Sequence, residues 1–183
     1  MSILILLFTG CLFNSNVVSQ SNNDLINCAA IIDNIPCNFS AIDAEGSDVE
    51  FYNLKNKPIV IDIGAMWCGP CQLAASDIQE IQDKYSEDEL IYLTLLVDNL
   101  SGEEPTVSDL NRWKEQFDID DAPVWSISRD IITSNPTKTG ELIYMDSLPS
   151  FYFIDSDMKV KNFQRGYSKD SIESKIIDLL MKD

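Results

Sequence analysis

The pentapeptide Trp67-Cys68-Gly69-Pro70-Cys71 constrains this chain more than any other stretch. It follows the run Ile59-Val60-Ile61-Asp62-Ile63 and precedes apolar residues at Ala74, Ile78, Ile81 and Tyr85. The first pattern predicts a strand buried on both faces, the second the inner stripe of a helix. A strand that feeds two thiols onto a helix start is suited to disulfide exchange. The positive end of the helix dipole stabilises a thiolate on the first sulfur. The two-residue spacer keeps the second sulfur within reach of a mixed disulfide formed by the first. Half of a zinc site is the competing reading. Structural zinc takes four ligands, whereas this chain has no histidine and no second Cys-x-x-Cys, so no metal is expected.

A length of 183 residues suits one domain plus a leader, and 45% hydrophobic content suffices for a core. The formal charge of −17 disfavours nucleic acid and anionic membrane surfaces as partners. A solvated acidic surface is its simplest account. Residues Met1 to Cys11 form an apolar stretch ending in Thr9-Gly10-Cys11. This resembles the end of a bacterial lipoprotein signal, with Cys11 as the candidate lipidation site. No Lys or Arg precedes the apolar core, and the core is too short to span a bilayer. A cleaved secretory leader with an incidental cysteine is the alternative. The expected organisation is a leader over 1–11, a flexible arm over 12–37 with an Asn/Ser-rich start, and a folded domain over 38–183.

Five cysteines are present. With Cys11 lipidated and Cys68 and Cys71 paired, Cys28 and Cys37 are left to each other, an even remainder that suits an oxidising compartment. Bonded, they would staple the arm by roughly 2–3 kcal/mol; unbonded, they are two buried thiols. A sharper expectation is that this pair exchanges electrons with Cys68 and Cys71.

Strands are expected over 38–42, 59–63, 90–97, 122–127, 151–154 and 158–163. Helices are expected from Cys71, from Thr106 and from Ser168, the last with Ile172, Ile176, Ile177 and Leu180 inward. Residues 134–140 read as a loop with an Asn135-Pro136 turn. Alternating strands and helices predict an α/β fold, and the closing hairpin adds an antiparallel edge to make the sheet mixed.

From about Asn38 to Asp183 the chain resembles the thioredoxin superfamily, and within it the membrane-anchored redoxin branch of TlpA-like and ResA-like thiol-disulfide oxidoreductases. The active-site pentapeptide carries the resemblance, together with Leu148-Pro149-Ser150 ahead of a Phe-rich strand, where the family places its cis-proline. Asp62 stands where thioredoxins keep a buried carboxylate, and Asp109–Ile127 resembles the insertion of the redoxin branch. The implied fold is a central mixed β-sheet flanked by helices, with an N-terminal extension and a redoxin-type insertion. Three positions depart from the pattern. Ser76 replaces a helix-kinking proline, which predicts a straighter helix. Gly64 replaces an aromatic residue, which predicts a wider groove. Gly69-Pro70 is the dipeptide of thioredoxin itself and leans towards a reducing potential, on the order of −270 mV.

The resemblance also implies roles. Cys68 is the exposed nucleophile and Cys71 the buried resolving thiol. Asp62, its pKa raised by burial, accepts the proton of Cys71. Trp67, Pro70, Leu148 and Pro149 contact substrate. No cofactor is required. The expected protein is an exported monomer of the periplasm or cell envelope, with protein disulfide clients and a membrane-bound electron donor. Its only link to the membrane would be the lipid. Two other functions compete. A thiol peroxidase would present a Pro-x-x-x-Thr-x-x-Cys loop, whereas Asp62 and Ala65, six and three residues before Cys68, stand in a stretch that lacks both the Pro and the Thr. A copper-binding assembly factor would ordinarily use a histidine ligand.

Overall fold

The computed structural model describes residues 28–133, 143–145 and 147–181. The leader-like segment with Cys11 and the whole 134–140 loop reading lie outside them. Among the described residues, nine strands and four α-helices follow one another: β1 Ser40–Asp43, β2 Asp48–Glu50, β3 Ile59–Ala65, α1 Gly69–Ala75, α2 Ile78–Lys84, β4 Ile91–Asp98, α3 Val107–Gln116, β5 Val124–Ser126, β6 Ile132–Thr133, β7 Ile143–Tyr144, β8 Ser150–Ile154, β9 Val160–Arg165 and α4 Lys169–Leu180. Seven strands form one sheet in the order β2-β1-β5-β4-β3-β8-β9. β3, β4 and β5 run parallel, while β8 and β9 extend the sheet antiparallel on one side and β1 joins β5 antiparallel on the other. The sheet is therefore mixed, as its elements predict. The short β2 and the β6–β7 pair were not legible, since two or three residues carry too little periodicity.

β3 is central and buried at every position, which is why it reads as a β-branched run rather than an alternation. α2 and α4 lie side by side, tied by Lys84–Glu173 and by Lys169 to Asp77 at 3.0 Å and Glu80 at 2.6 Å. α3 packs on β5 and β1. It starts with a capping box in which Thr106 and Asp109 satisfy each other's backbone N–H groups.

Several expectations change. The helix after Cys71 is broken rather than straight: α1 ends at Ala75 and α2 begins at Ile78. The Ser76 hydroxyl donates to the Leu73 carbonyl at 2.7 Å, and the Asp77 carboxylate accepts from Tyr167 and Lys169. Side chains that bond nearby backbone or distant partners compete with the helical ladder. In α4 it is Ile172, Ile176 and Leu179 that are buried, whereas Ile177 is exposed and Leu180 only half-buried. The i, i+4, i+7 spacing explains the difference.

Residues 28–37, expected to be part of a flexible arm, are seated on the sheet. Cys28 and Cys37 are both buried and joined in a disulfide, with Cα atoms 4.8 Å apart. The loop they close pairs with the start of β9 through Asp33 N–H to Val160 O at 2.7 Å and Val160 N–H to Asn34 O at 2.9 Å. Tyr52 fastens it by donating to the Pro36 carbonyl at 2.8 Å. Val160 pairs with Ile154, which pairs with Ile59 at the start of β3. Cys68 follows the other end of β3, six residues on from Ile59 at Ala65, or about 20 Å at a strand's rise. Each cysteine pair is closed on itself, Cys28 with Cys37 and Cys68 with Cys71.

Candidate active site

β3 ends at Ala65, and the chain turns through Met66 and Trp67 into α1. Cys68 is the N-cap of α1 and Pro70 occupies its first turn, where a missing N–H does no harm. Cys68 and Cys71 are joined in a disulfide with Cα atoms 5.2 Å apart. The Cys71 N–H also points at the Cys68 sulfur, N to Sγ 3.3 Å. A donor aimed there, at a helix start, favours a thiolate on Cys68 once the bridge is reduced.

Cys68 is only 5% exposed and Cys71 2%, which corrects the expectation of a freely exposed first sulfur. Access runs instead through a cleft of about 710 Å³ lined by Trp67, Cys68, Gly69, Pro70, Arg129, Met145, Ser147 and Leu148. Trp67 and Pro70 are exposed on its rim. Gly64 does not widen this cleft. A Cβ there would sit 3.3 Å from the Cys71 Cβ and 3.6 Å from its sulfur. Its absence lets α1 settle close onto β3.

The Leu148–Pro149 peptide is cis. Ser150 pairs with Ile63, so the register sets Pro149 beside Gly64 and next to the cysteines. Leu148 faces the cleft, while Pro149 is buried and its carbonyl accepts from Gly166 N–H at 2.9 Å.

Asp62 lies in mid-β3, 3% exposed, with Oδ1 unpaired among the described residues. Burial pushes its pKa up to about 8, because a dry surrounding disfavours the charged form. Asp62 and Gly64 point to the same face of β3, and the Gly64 position touches Cys71. The acid is thus one residue pair below the resolving sulfur.

Two polar residues at the site escaped sequence reading. Asp98, at the end of β4, is 3% exposed. Its carboxylate accepts from Trp67 Nε1 at 2.8 Å and from Arg129 Nε at 2.6 Å, with Arg129 Nη2 as a further donor. The Arg129 bonds, helped by Trp67, hold the Asp98 pKa below the ordinary carboxylate range despite burial. A signal for Asp98 was present, since sites gather at the carboxyl ends of parallel strands. Nothing in the sequence marks Arg129.

The chain matches the AhpC/TSA family over residues 31–163. The chain belongs to that family. Its features are those of the redoxin branch of the thioredoxin superfamily. Among curated relatives, a thioredoxin of Coprinus comatus is 28% identical over 102 residues, covering 51% of this chain and 87% of that one. A thiol-disulfide oxidoreductase ResA of Bacillus cereus is 25% identical over 123 residues, covering 67% and 63%. Among solved structures, the exposed lipoprotein thioredoxin Etrx1 of Streptococcus pneumoniae matches with TM-score 0.58 at 23% identity, covering 78% of this chain and 100% of that one. The peroxidoxin BcpB of Mycobacterium tuberculosis matches with TM-score 0.60 at 17% identity, covering 82% and 96%. These likenesses show the fold. With relatives that are thiol-disulfide oxidoreductases and a paired Cys-x-x-Cys at the family's site, the enzyme class is thiol-disulfide oxidoreductase. No helix among the described residues is long and apolar enough to cross a membrane.

Proposed function

We propose that the chain reduces disulfides of protein clients outside the cytoplasm, with Cys68 attacking and Cys71 resolving. The observation that carries this reading is the juxtaposition of the Cys68–Cys71 pair, at the floor of a partly apolar cleft, with a buried carboxyl of raised pKa behind it. The Cys68 thiolate displaces one sulfur of a client disulfide, forming a mixed disulfide and releasing a client thiolate. Asp62, ionised, takes the proton of Cys71. The resulting thiolate attacks the Cys68 sulfur and releases the second client thiolate. Two electrons have then passed to the client, and Cys68–Cys71 is oxidised.

An extended client segment laid against Leu148 and Pro149, under Trp67 and beside Pro70, brings its sulfur to Cys68. A membrane-bound donor returns the enzyme to the dithiol. The buried Cys28–Cys37 disulfide supports work in an oxidising compartment, and anchoring of a monomer through lipid on Cys11 belongs to the same proposal. A peroxidase reading is weaker, because the seven residues before Cys68, 61–67, contain neither its Pro nor its Thr.

The test is insulin reduction with trapping. The parent should precipitate insulin in the presence of dithiothreitol. Cys71→Ser should accumulate a mixed disulfide through Cys68, and Cys68→Ser should do neither. Equal trapping by Cys68→Ser would reverse the assigned roles, and peroxide consumption without insulin reduction would favour the peroxidase.

A further inference from the structure

Asp98 and Arg129 form an ion pair that the exchange steps do not use. Both carboxylate oxygens of the buried Asp98 are occupied, Oδ1 by Arg129 Nε at 2.6 Å and Oδ2 by Arg129 Nη2 and by Trp67 Nε1 at 2.8 Å. The Arg129 side chain is 51% exposed and lines the same cleft as Cys68. The other described cleft-lining residues, from the turn before α1 and the segment before β8, are uncharged. On β3, behind the cysteines, the titratable group is Asp62, and on α1 it is Cys71. Among the described residues, Asp98 on β4 and Arg129 after β5 are therefore the fixed charges at this site.

A carboxylate is a good anchor for the indole N–H of Trp67, but a bare one next to Cys68 would oppose the thiolate. We infer that Arg129 cancels the charge of the Asp98 anchor, so that the pair holds Trp67 in place while leaving Cys68 acidic. Arg129 and Asp98 are positioning residues whose charges act on Cys68 with opposite signs. The inference rests on Cys68 being the attacking sulfur. Removing Arg129 leaves a net negative charge at the site, so the Cys68 pKa rises. Removing the Asp98 charge leaves a free guanidinium, so it falls. One charge at the same partly screened site shifts it by about 0.5 to 1 pH unit. Below its pKa, that changes the thiolate fraction roughly three- to tenfold. A less stable thiolate is a less stable reduced form, so the reduction potential of Cys68–Cys71 moves down in the first case and up in the second.

The test is the pH dependence of iodoacetamide alkylation of the reduced full chain, with Cys68 scored by peptide mass spectrometry. Arg129→Met should raise the pKa of Cys68, and Asp98→Asn, which keeps an acceptor for Trp67, should lower it. Arg129→Lys restores a charge without the planar fork and should return most of the parental value. The double variant Asp98→Asn/Arg129→Met should lie near the parent. Circular dichroism melts check that each variant folds. Shifts of the same sign in both single variants, or no shift in either, would overturn the charge-balance assignment while leaving Cys68 as the nucleophile. A parent in which Cys71 is alkylated first would sink the nucleophile assignment itself.

Discussion

Asp62 couples the fold to the chemistry at the residue scale. Burial raises its pKa from 3.8 to about 8, so the folded chain keeps a proton that the unfolded chain gives up. The stability tied to that proton is fully present below about pH 4 and is lost as pH rises through about 8. Asp62→Asn removes this dependence. At pH 9 the variant should be more stable than the parent, by roughly 2–5 kcal/mol, with a smaller difference at pH 4; urea denaturation at both values checks it. The same variant should slow release of the mixed disulfide about tenfold or more, read by stopped-flow trapping. Identical pH dependence in parent and variant would mean that Asp62 is not the titrating group. Cys68, Cys71 and Asp62 were legible because each is an anomaly in its own segment: two thiols at fixed spacing, and an acid among isoleucines. Asp98 and Arg129 come from elements thirty-one positions apart, and their meeting is set by sheet order, which no local pattern encodes.

Two devices matter at the scale of elements. The Cys28–Cys37 disulfide closes a loop that caps the start of β9. Cys37→Ser should lower stability by roughly 2–3 kcal/mol, read as a shift in the denaturation midpoint. It should leave the potential of Cys68–Cys71 unchanged if each pair works on its own, and a shifted potential would show exchange between them. The second device is the close seating of α1 on β3 at Gly64. Gly64→Val places atoms against the Cys71 Cβ at a point already within 3.3 Å for a single carbon. Overpacking of this kind costs about 1–3 kcal/mol; calorimetry and the rate of disulfide closure should both register it. Strand and helix order could be read from periodicity. The break at Ser76–Asp77 could not, since it depends on Tyr167 and Lys169 reaching Asp77 from the far end of the chain. For the same reason, which of Ile177 and Leu179 faces inward depends on how α4 is rotated against the sheet.

For the whole molecule, charge governs encounter. Thirteen basic residues against thirty acidic ones leave −17, and exposed charges farther apart than about 10 Å are screened at 0.1 M salt. Reduction of a cationic client should therefore slow several-fold between about 20 and 200 mM salt, while that of an anionic client should accelerate. A salt response independent of client charge would show that contacts in the cleft, rather than the overall field, control association. The α/β class and mixed sheet were legible, since one buried strand and its flanking helices dictate a layered arrangement. The seating of residues 28–37 was not, because it is made by backbone pairing to β9 and by Tyr52.

The most direct test of disulfide exchange as a reductant is equilibrium titration of Cys68–Cys71 against dithiothreitol and glutathione mixtures, with the thiols counted by mass. A single two-electron transition near −270 mV is expected, with Cys28–Cys37 staying oxidised throughout. A midpoint near −120 mV, the range of strong oxidants, would reverse the direction of electron flow, and the absence of any transition at this pair would contradict the account.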